Sequence, residues 1–293
     1  MTSSPQAPVR SLTDEEVLAF QRDGYVILRG LFSPDEVAPL SQAWNDDPEV
    51  GGGQTQYLDS RGRTVRMATW TELGDSLLGV FPRIARLVGA ASRLLGDEPV
   101  YHWHSKLVCK APHDPSHIDW HQGYGAWYDD GCLFPDLISC SVAVTECTLL
   151  NGAMQLVRGS HRLGRIEHVV ANETLMAAPD RMEQIVARLE VVDCLMEPGD
   201  TILFHANTLH ASRENHSERP RILLHIHYNA ASNAPYVVEG QEHHRYRRLE
   251  VVADDAIATG QYRPGFSGQT FFAPEKGLGA GQSIARRGGD MGP

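Results

Sequence analysis

The sequence predicts a mainly β fold, a sandwich or barrel of short strands flanked by helices at its N-terminal end. Three observations predict it. The hydrophobic period changes near residue 100 from helical to alternating. From there on, short apolar runs are separated by turn signals at Asn151-Gly152, Gly159-Ser160 and Pro198-Gly199-Asp200. The first hundred residues instead carry two helix-start signatures. Many short strands spaced by turns belong to a sandwich or barrel.

In chain order, residues 1–10 read as a disordered leader. Thr13-Asp14-Glu15-Glu16 is a capping box and predicts a helix from about 14 to 22, ended by Asp23-Gly24. Residues 25–28 read as a strand. Ser33-Pro34-Asp35-Glu36 opens a second helix, to about Trp44, with serine as cap and proline in the first turn. Residues 46–53 read as a loop with Gly51, Gly52 and Gly53 at its tip, either a cover for a site or a plain connection. Residues 82–95 place Ile84, Leu87, Val88, Ala91, Leu94 and Leu95 on one face of a third helix. Strands follow at 100–109, 138–145, 154–157, 195–196, 201–205 and 222–228, with a helical insert at 172–190. The expected organisation is one domain over 11–236, with a helical part at 11–99 and a strand-rich core at 100–236. A C-terminal extension, 237–293, is a candidate lid whose glycine-rich end, 276–293, is expected to be frayed.

Composition narrows the function. A net charge of −11 argues against a nucleic-acid polymer or an anionic membrane as the main partner, yet leaves room for a small phosphorylated ligand held by local arginines. Five cysteines without a CxxC pair argue against a disulfide framework or a structural zinc site, and point to reduced thiols in the cytoplasm. The N-terminus lacks the apolar stretch of a signal peptide, and no apolar run approaches the ~18 residues of a membrane span.

The chemistry centres on His117-Ile118-Asp119-Trp120-His121-Gln122-Gly123-Tyr124. His121 and position 123 stand two apart on an expected strand edge, so they would face one side. A histidine, a carboxylate two residues on and a distant histidine make the facial triad of non-haem Fe(II) oxygenases, with positions left open for co-substrate and oxygen. His210 supplies the distant histidine, and Arg221, eleven residues beyond it, can grip a keto-acid carboxylate with two prongs. Position 123, however, is glycine.

These residues resemble the phytanoyl-CoA dioxygenase-like branch of the Fe(II)/2-oxoglutarate oxygenases. The resemblance spans about 12–230. It is carried by Asp23-Gly24-Tyr25, Lys110-Ala111-Pro112 before Trp120-His121-Gln122, Asn151-Gly152, Arg158-Gly159-Ser160-His161, Gly199-Asp200, His205, and His210 with Ser212, Asn215 and Arg221. It implies a double-stranded β-helix, or jelly roll. It further implies His121 and His210 as iron ligands, Arg221 and Ser212 as anchors for 2-oxoglutarate, and Lys106 lining that co-substrate.

Where the family carries aspartate, this chain has Gly123. In halogenating members of the superfamily, chloride fills that gap beside alanine or glycine. The resemblance therefore implies a halogenase that uses Fe(II), 2-oxoglutarate, O2 and chloride, releases succinate and CO2, and hands chlorine to an aliphatic carbon radical. Glycine in the gap is similar to free-standing halogenases, which need no carrier protein. Within these the resemblance points to nucleotide halogenases, implying a 2′-deoxyadenosine nucleotide chlorinated at the ribose 2′-carbon. Tyr124, Trp127 and Tyr128 are candidates for an aromatic wall, and Arg158, Arg245, Arg247 and Arg248 for a phosphate site; core packing and solvation are their plain alternatives. Three readings compete: a hydroxylase with its register shifted to His117 and Asp119, a non-catalytic ligand binder, and Asp129 or Asp130 as a replacement ligand. His102 and His104 alternate on one strand face, where they either line the pocket or, as the plainer reading, are satisfied core or surface groups; His161 reads as structural, and His205, His225 and His227 as strand residues able to reach a pocket.

Overall fold

Reciprocal capping fixes the first helices. Thr13 accepts a hydrogen bond from Glu16 N at 3.2 Å and donates its own N–H to Glu16 at 3.0 Å, starting α1 (Asp14–Asp23). Ser33 and Glu36 repeat the arrangement at α2 (Pro34–Asp46). Between them Gly24 takes a φ of 83°, where a β-carbon would run into the His161 ring, and β1 (Tyr25–Leu28) begins at once. The computed structural model describes residues 11–236 and 244–272. The expected leader at 1–10 and, of the expected C-terminal extension, residues 237–243 and 273–293 with the glycine-rich end lie outside the described residues.

The chain continues through α3 (Pro48–Gly52), β2 (Gln54–Leu58), β3 (Thr64–Trp70), α4 (Leu77–Val80) and α5 (Ala85–Leu94). Then come β4 (Val100–Lys110), β5 (Ile118–His121), α6 (Gly123–Trp127), β6 (Leu137–Ala143) and β7 (Met154–Val157). The last group is β8 (His168–Ala171), β9 (Thr174–Ala177), α7 (Pro179–Val186), β10 (Val191–Asp193), β11 (Thr201–His205), β12 (His210–Ser212) and β13 (Arg221–Ala230).

The strands form a seven-stranded sheet, β1-β11-β6-β13-β4-β3-β2, facing a four-stranded sheet, β10-β7-β12-β5. β4, β6, β11 and β13 lie in the first; β5, β7, β10 and β12 lie in the second. That interleaving of eight strands is the jelly roll. β13 shows how sequence sets the two faces. Ile222, Leu224 and Ile226 turn to the helices, where they pack with Phe32, Leu40, Phe81 and Leu87. Arg221, Leu223, His225 and His227 alternate with them and line the space between the sheets. The helical layer is therefore a backing for the large sheet, and the polar work is done on its other face.

Several expectations change. Gly123 is not on a strand: β5 ends at His121, and Gly123 opens the short helix α6. The insert at 172–190 is only partly helical, because β9 pairs with β8 before α7 begins. The loop at 46–53 contains the turn of α3, capped by Asp47. Leu195 and Met196 form no strand, though Met196 makes an isolated bridge to Cys147. The β2–β3 hairpin was missed, although Asp59 and Gly62 bound a turn between alternating runs. In the C-terminal extension, Ala256, Ile257 and Phe266 join the core behind the large sheet, and Ala85 N donates to Val252 O at 3.1 Å. This described part braces the helices. The five cysteines are buried and free, and no helix among the described residues is long and apolar enough to cross a membrane.

Asp200 ties β11 to the β1–α2 connection. Its carboxylate accepts from Arg29 and from Gly30 N, both at 2.7 Å, and from Glu197 N at 3.0 Å. Burial opposes its ionisation, but these donors together hold its pKa below the usual value. The contribution is present above the unfolded carboxyl's pKa of about 3.9 and is lost as pH falls through the lower folded value. Asp200→Asn is expected to cost about 1.5–3 kcal/mol in denaturant unfolding near neutrality. The difference from the parent should shrink as the medium is acidified.

Candidate active site

His121 and His210 stand directly opposite each other on β5 and β12, with ring centroids 4.0 Å apart. Each imidazole is locked by its own strand. His121 Nδ1 donates to the Asp119 carbonyl at 2.8 Å, and His210 Nδ1 donates to the Thr208 carbonyl at 2.9 Å. A carbonyl can only accept, so the proton sits on Nδ1 and the Nε2 lone pair of each ring is free. Burial keeps both rings neutral, lowering the His121 pKa well below the usual value and His210 to about 4. Two neutral imidazoles with fixed tautomers and converging positions suit a divalent transition metal.

The shifted register fails for a structural reason. His210 faces His121, while Ser212 faces Ile118, so β5 carries one residue more than β12 between these pairs. The bulge puts Ile118 and His121 on the cavity side and leaves Asp119 off it. Asp119 instead accepts from Ser60 Oγ at 2.6 Å and from His117 Nε2 at 2.9 Å, while His117 Nδ1 lies 2.7 Å from Asp59. His117 and Asp119 thus clamp the β2–β3 turn onto β5. Asp129 pairs with Arg165 at 3.5 Å, and neither it nor Asp130 lines the cavity. Among the described residues no group of three His, Cys, Asp or Glu side chains could hold a metal.

At Gly123, two residues past His121, a β-carbon would lie 2.5 Å from the Trp127 indole. The indole fills the space in which a side chain would start, so an aspartate there needs Trp127 to move. Gln122 fixes this segment: its amide donates to the Gly164 and Asn207 carbonyls at 2.7 and 2.8 Å, and its oxygen accepts from Ile166 N at 2.9 Å.

Next to the histidines lies a cation. Arg221 is 1% exposed, and its guanidinium donates to Ser212 Oγ at 3.3 Å. Its Nε has no hydrogen-bond partner, and no carboxylate among the described residues pairs with it. Lys110 stands opposite it in register and Lys106 lines the same cavity. Burial lowers the Lys106 pKa to about 8; burial and then Arg221 lower Lys110 to about 7. A buried guanidinium with unused donors calls for an anion. The carboxylate of a keto acid fits it, with Tyr57, Met67, Val108, Ile118, Met154 and Leu223 as an apolar jacket. Tyr57 and Met67 come from the hairpin that sequence reading missed.

The expected substrate residues scatter. Trp127 does turn inward, 5.0 Å from the His227 ring. Tyr124 is buried with its hydroxyl donating to the Leu133 carbonyl at 2.6 Å, and Tyr128 is 47% exposed beneath Arg165, so neither forms a wall. Arg158 pairs with Glu190 at 3.0 Å and approaches Asp23 at 3.8 Å, away from the cavity. Arg247 pairs with Glu72 at 2.6 Å; with Arg245 and Arg248 it borders a separate surface recess. His225 and His227 do line the cavity, their Nδ1 atoms bonded to Ser141 and Ser139 at 2.7 and 2.9 Å.

His121→Ala and His210→Ala are each expected to weaken Fe(II) or Co(II) binding by more than the roughly 10–100-fold typical of losing an outer-shell partner. Asp119→Ala should leave the affinity near that of the parent. Calorimetric titration of the metal-free protein checks all three, and loss of metal in Asp119→Ala alone would reinstate the shifted register.

Comparison with known proteins agrees with this geometry. The family model described as phytanoyl-CoA dioxygenase (PhyH) matches residues 20–223. An ectoine dioxygenase of Sphingopyxis alaskensis is 30% identical over 246 residues, covering 78% of this chain and 80% of that protein. An L-proline trans-4-hydroxylase of Streptomyces griseoviridis is 28% identical over 237 residues, covering 74% and 86%. The crystal structure of EctD from S. alaskensis with 2-oxoglutarate and 5-hydroxyectoine superposes with a TM-score of 0.68 at 28% identity, covering 85% of this chain and 89% of that one. The names of these relatives describe oxygenation of small molecules; none mentions chloride, halogenation or a nucleotide. The matched family, the paired imidazoles and the buried guanidinium agree: the chain belongs to the phytanoyl-CoA dioxygenase family of non-haem iron and 2-oxoglutarate-dependent oxygenases.

Proposed function

We propose that this oxygenase transfers a halide, chloride in the first instance, to an aliphatic carbon of a small polar molecule. The observation that carries the reading is Gly123. A facial triad needs a carboxylate at the third corner, and here the indole of Trp127 occupies the start of that side chain. His121 and His210 would hold Fe(II) through Nε2, Arg221 and Ser212 would take the far carboxylate of 2-oxoglutarate, and Lys106 would add positive charge beside it. A halide at the iron position that a carboxylate ligand would take would restore the missing negative charge. Bound iron, with 2-oxoglutarate and O2, supplies an oxidant able to remove a hydrogen atom from an unactivated carbon.

The chain's own residues position and shield. Gln122 and the β5 bulge hold His121 and Gly123 in place, and the apolar jacket limits water around the reacting groups. The overall change balances: R–H, Cl−, H+, O2 and 2-oxoglutarate give R–Cl, succinate, CO2 and water. O2 takes four electrons, two from the C–H carbon and two from the keto acid.

Hydroxylation is the second reading, and the names of the relatives favour it. It would not use His117 and Asp119 as ligands, since they clamp the β2–β3 turn. The substrate of either reaction is a separate proposal. The sequence resemblance suggests a 2′-deoxyadenosine nucleotide, although Arg158 and Arg247 are engaged by carboxylates; the relatives suggest compact solutes such as ectoine or L-proline.

The test is product analysis. The protein reconstituted with Fe(II), 2-oxoglutarate and chloride is offered 2′-deoxyadenosine 5′-phosphate, ectoine and L-proline in air. The expected product carries the isotope doublet of chlorine, and bromide in place of chloride gives the bromo analogue. A product that gains oxygen regardless of halide would establish the hydroxylase.

A further inference from the structure

Two polar rows cross the large sheet, and of their members Lys106, His225 and His227 line the cavity. Thr69, Lys106, His225 and Ser141 stand in register across β3, β4, β13 and β6. One step along, His104, His227 and Ser139 make the second row. Most of these imidazoles are satisfied. His225 and His227 bond to their serines, and His102, one step beyond His104, uses both nitrogens on the Thr71 carbonyl at 3.1 Å and Ser105 Oγ at 2.8 Å.

His104 is the exception. It is 0% exposed, and neither Nδ1 nor Nε2 has a hydrogen-bond partner. Its ring lies 4.5 Å from that of His227, which lines the cavity, and 6.0 Å from Trp127, whose Nε1 also lacks a partner. Thr69 Oγ1, in the adjacent row, is a further buried atom without one. A core built only for stability would not keep so many unused polar atoms together. Burial keeps the imidazole neutral, so it offers one N–H donor and one lone pair.

We propose that His104, beside His227 and Trp127, is the recognition end of the substrate site. It would take a polar group that presents both an acceptor and a donor. An alkyl or acyl chain would leave both imidazole nitrogens unpaired on binding and is selected against. The substrate class is therefore a compact molecule with an amide, amidine, hydroxyl-amine or similar donor–acceptor edge within reach of the reacting carbon. The inference rests on the oxygenase assignment and not on whether halogen or oxygen is transferred.

His104→Phe keeps a ring and removes the nitrogens. If His104 exists for substrate, the variant melts at the parent's temperature or above it; a fall of several degrees would make His104 a structural residue and overturn the proposal. The second readout is ¹⁵N NMR of histidine-labelled protein loaded with Zn(II) and 2-oxoglutarate, with the His104 signals assigned by their loss in His104→Phe. Ectoine, L-proline and 2′-deoxyadenosine 5′-phosphate serve as polar probes and hexanoate as the apolar one. At least one polar probe should shift the His104 nitrogens and bind His104→Phe at least tenfold more weakly, with hexanoate silent. Silence from all three polar probes, or a shift with hexanoate alone, would refute it.

Discussion

The site depends on one pairing, β5 against β12, and on the extra residue that β5 carries. Antiparallel register places His121 across from His210, and the bulge between His121 and Ile118 decides which neighbouring side chains share their face. Without it, strand alternation would put residue 119 beside residue 121. With it, Ile118 joins the cavity and Asp119 is spent on the His117 and Ser60 clamp. One irregular step in a four-residue strand thus removes the nearest carboxylate from the face that carries His121.

Charge then explains the rest of the pocket. Arg221, Lys110 and Lys106 occupy the inner face of the large sheet with no carboxylate paired to Arg221 among the described residues. Burying such groups is costly unless an anion answers them. On the proposed reading the site imports its anions, a keto acid at Arg221 and a halide beside Gly123. The helices pack behind the same sheet against Ile222, Leu224 and Ile226 of β13, so the cost of the polar face is borne by a packed apolar support.

Much of this was legible in the sequence. Capping residues gave α1 and α2, turn residues delimited β7 and β11, and His121, His210 and Arg221 carried the family resemblance. What was hidden was long-range. A bulge is a property of two strands, so nothing in residues 117–123 alone shows Asp119 turning away or Gly123 starting a helix. Tyr124, Trp127 and Tyr128 look alike as a cluster, yet α6 points only the indole at the site. Arginines read as phosphate binders proved to have acidic partners far away in sequence, Glu190 for Arg158 and Glu72 for Arg247. His102 and His104 were indistinguishable until hydrogen bonds separated the satisfied ring from the unsatisfied one.

The central claim, that an imported halide takes the iron position a carboxylate ligand would take, is tested most directly by crystals grown without oxygen from protein, Fe(II), 2-oxoglutarate and bromide. The account expects anomalous bromine density in contact with iron, beside Gly123 and Trp127, with His121 and His210 as the only protein ligands. Iron held by Asp119 or another carboxylate, with no bromine next to it, would contradict the account.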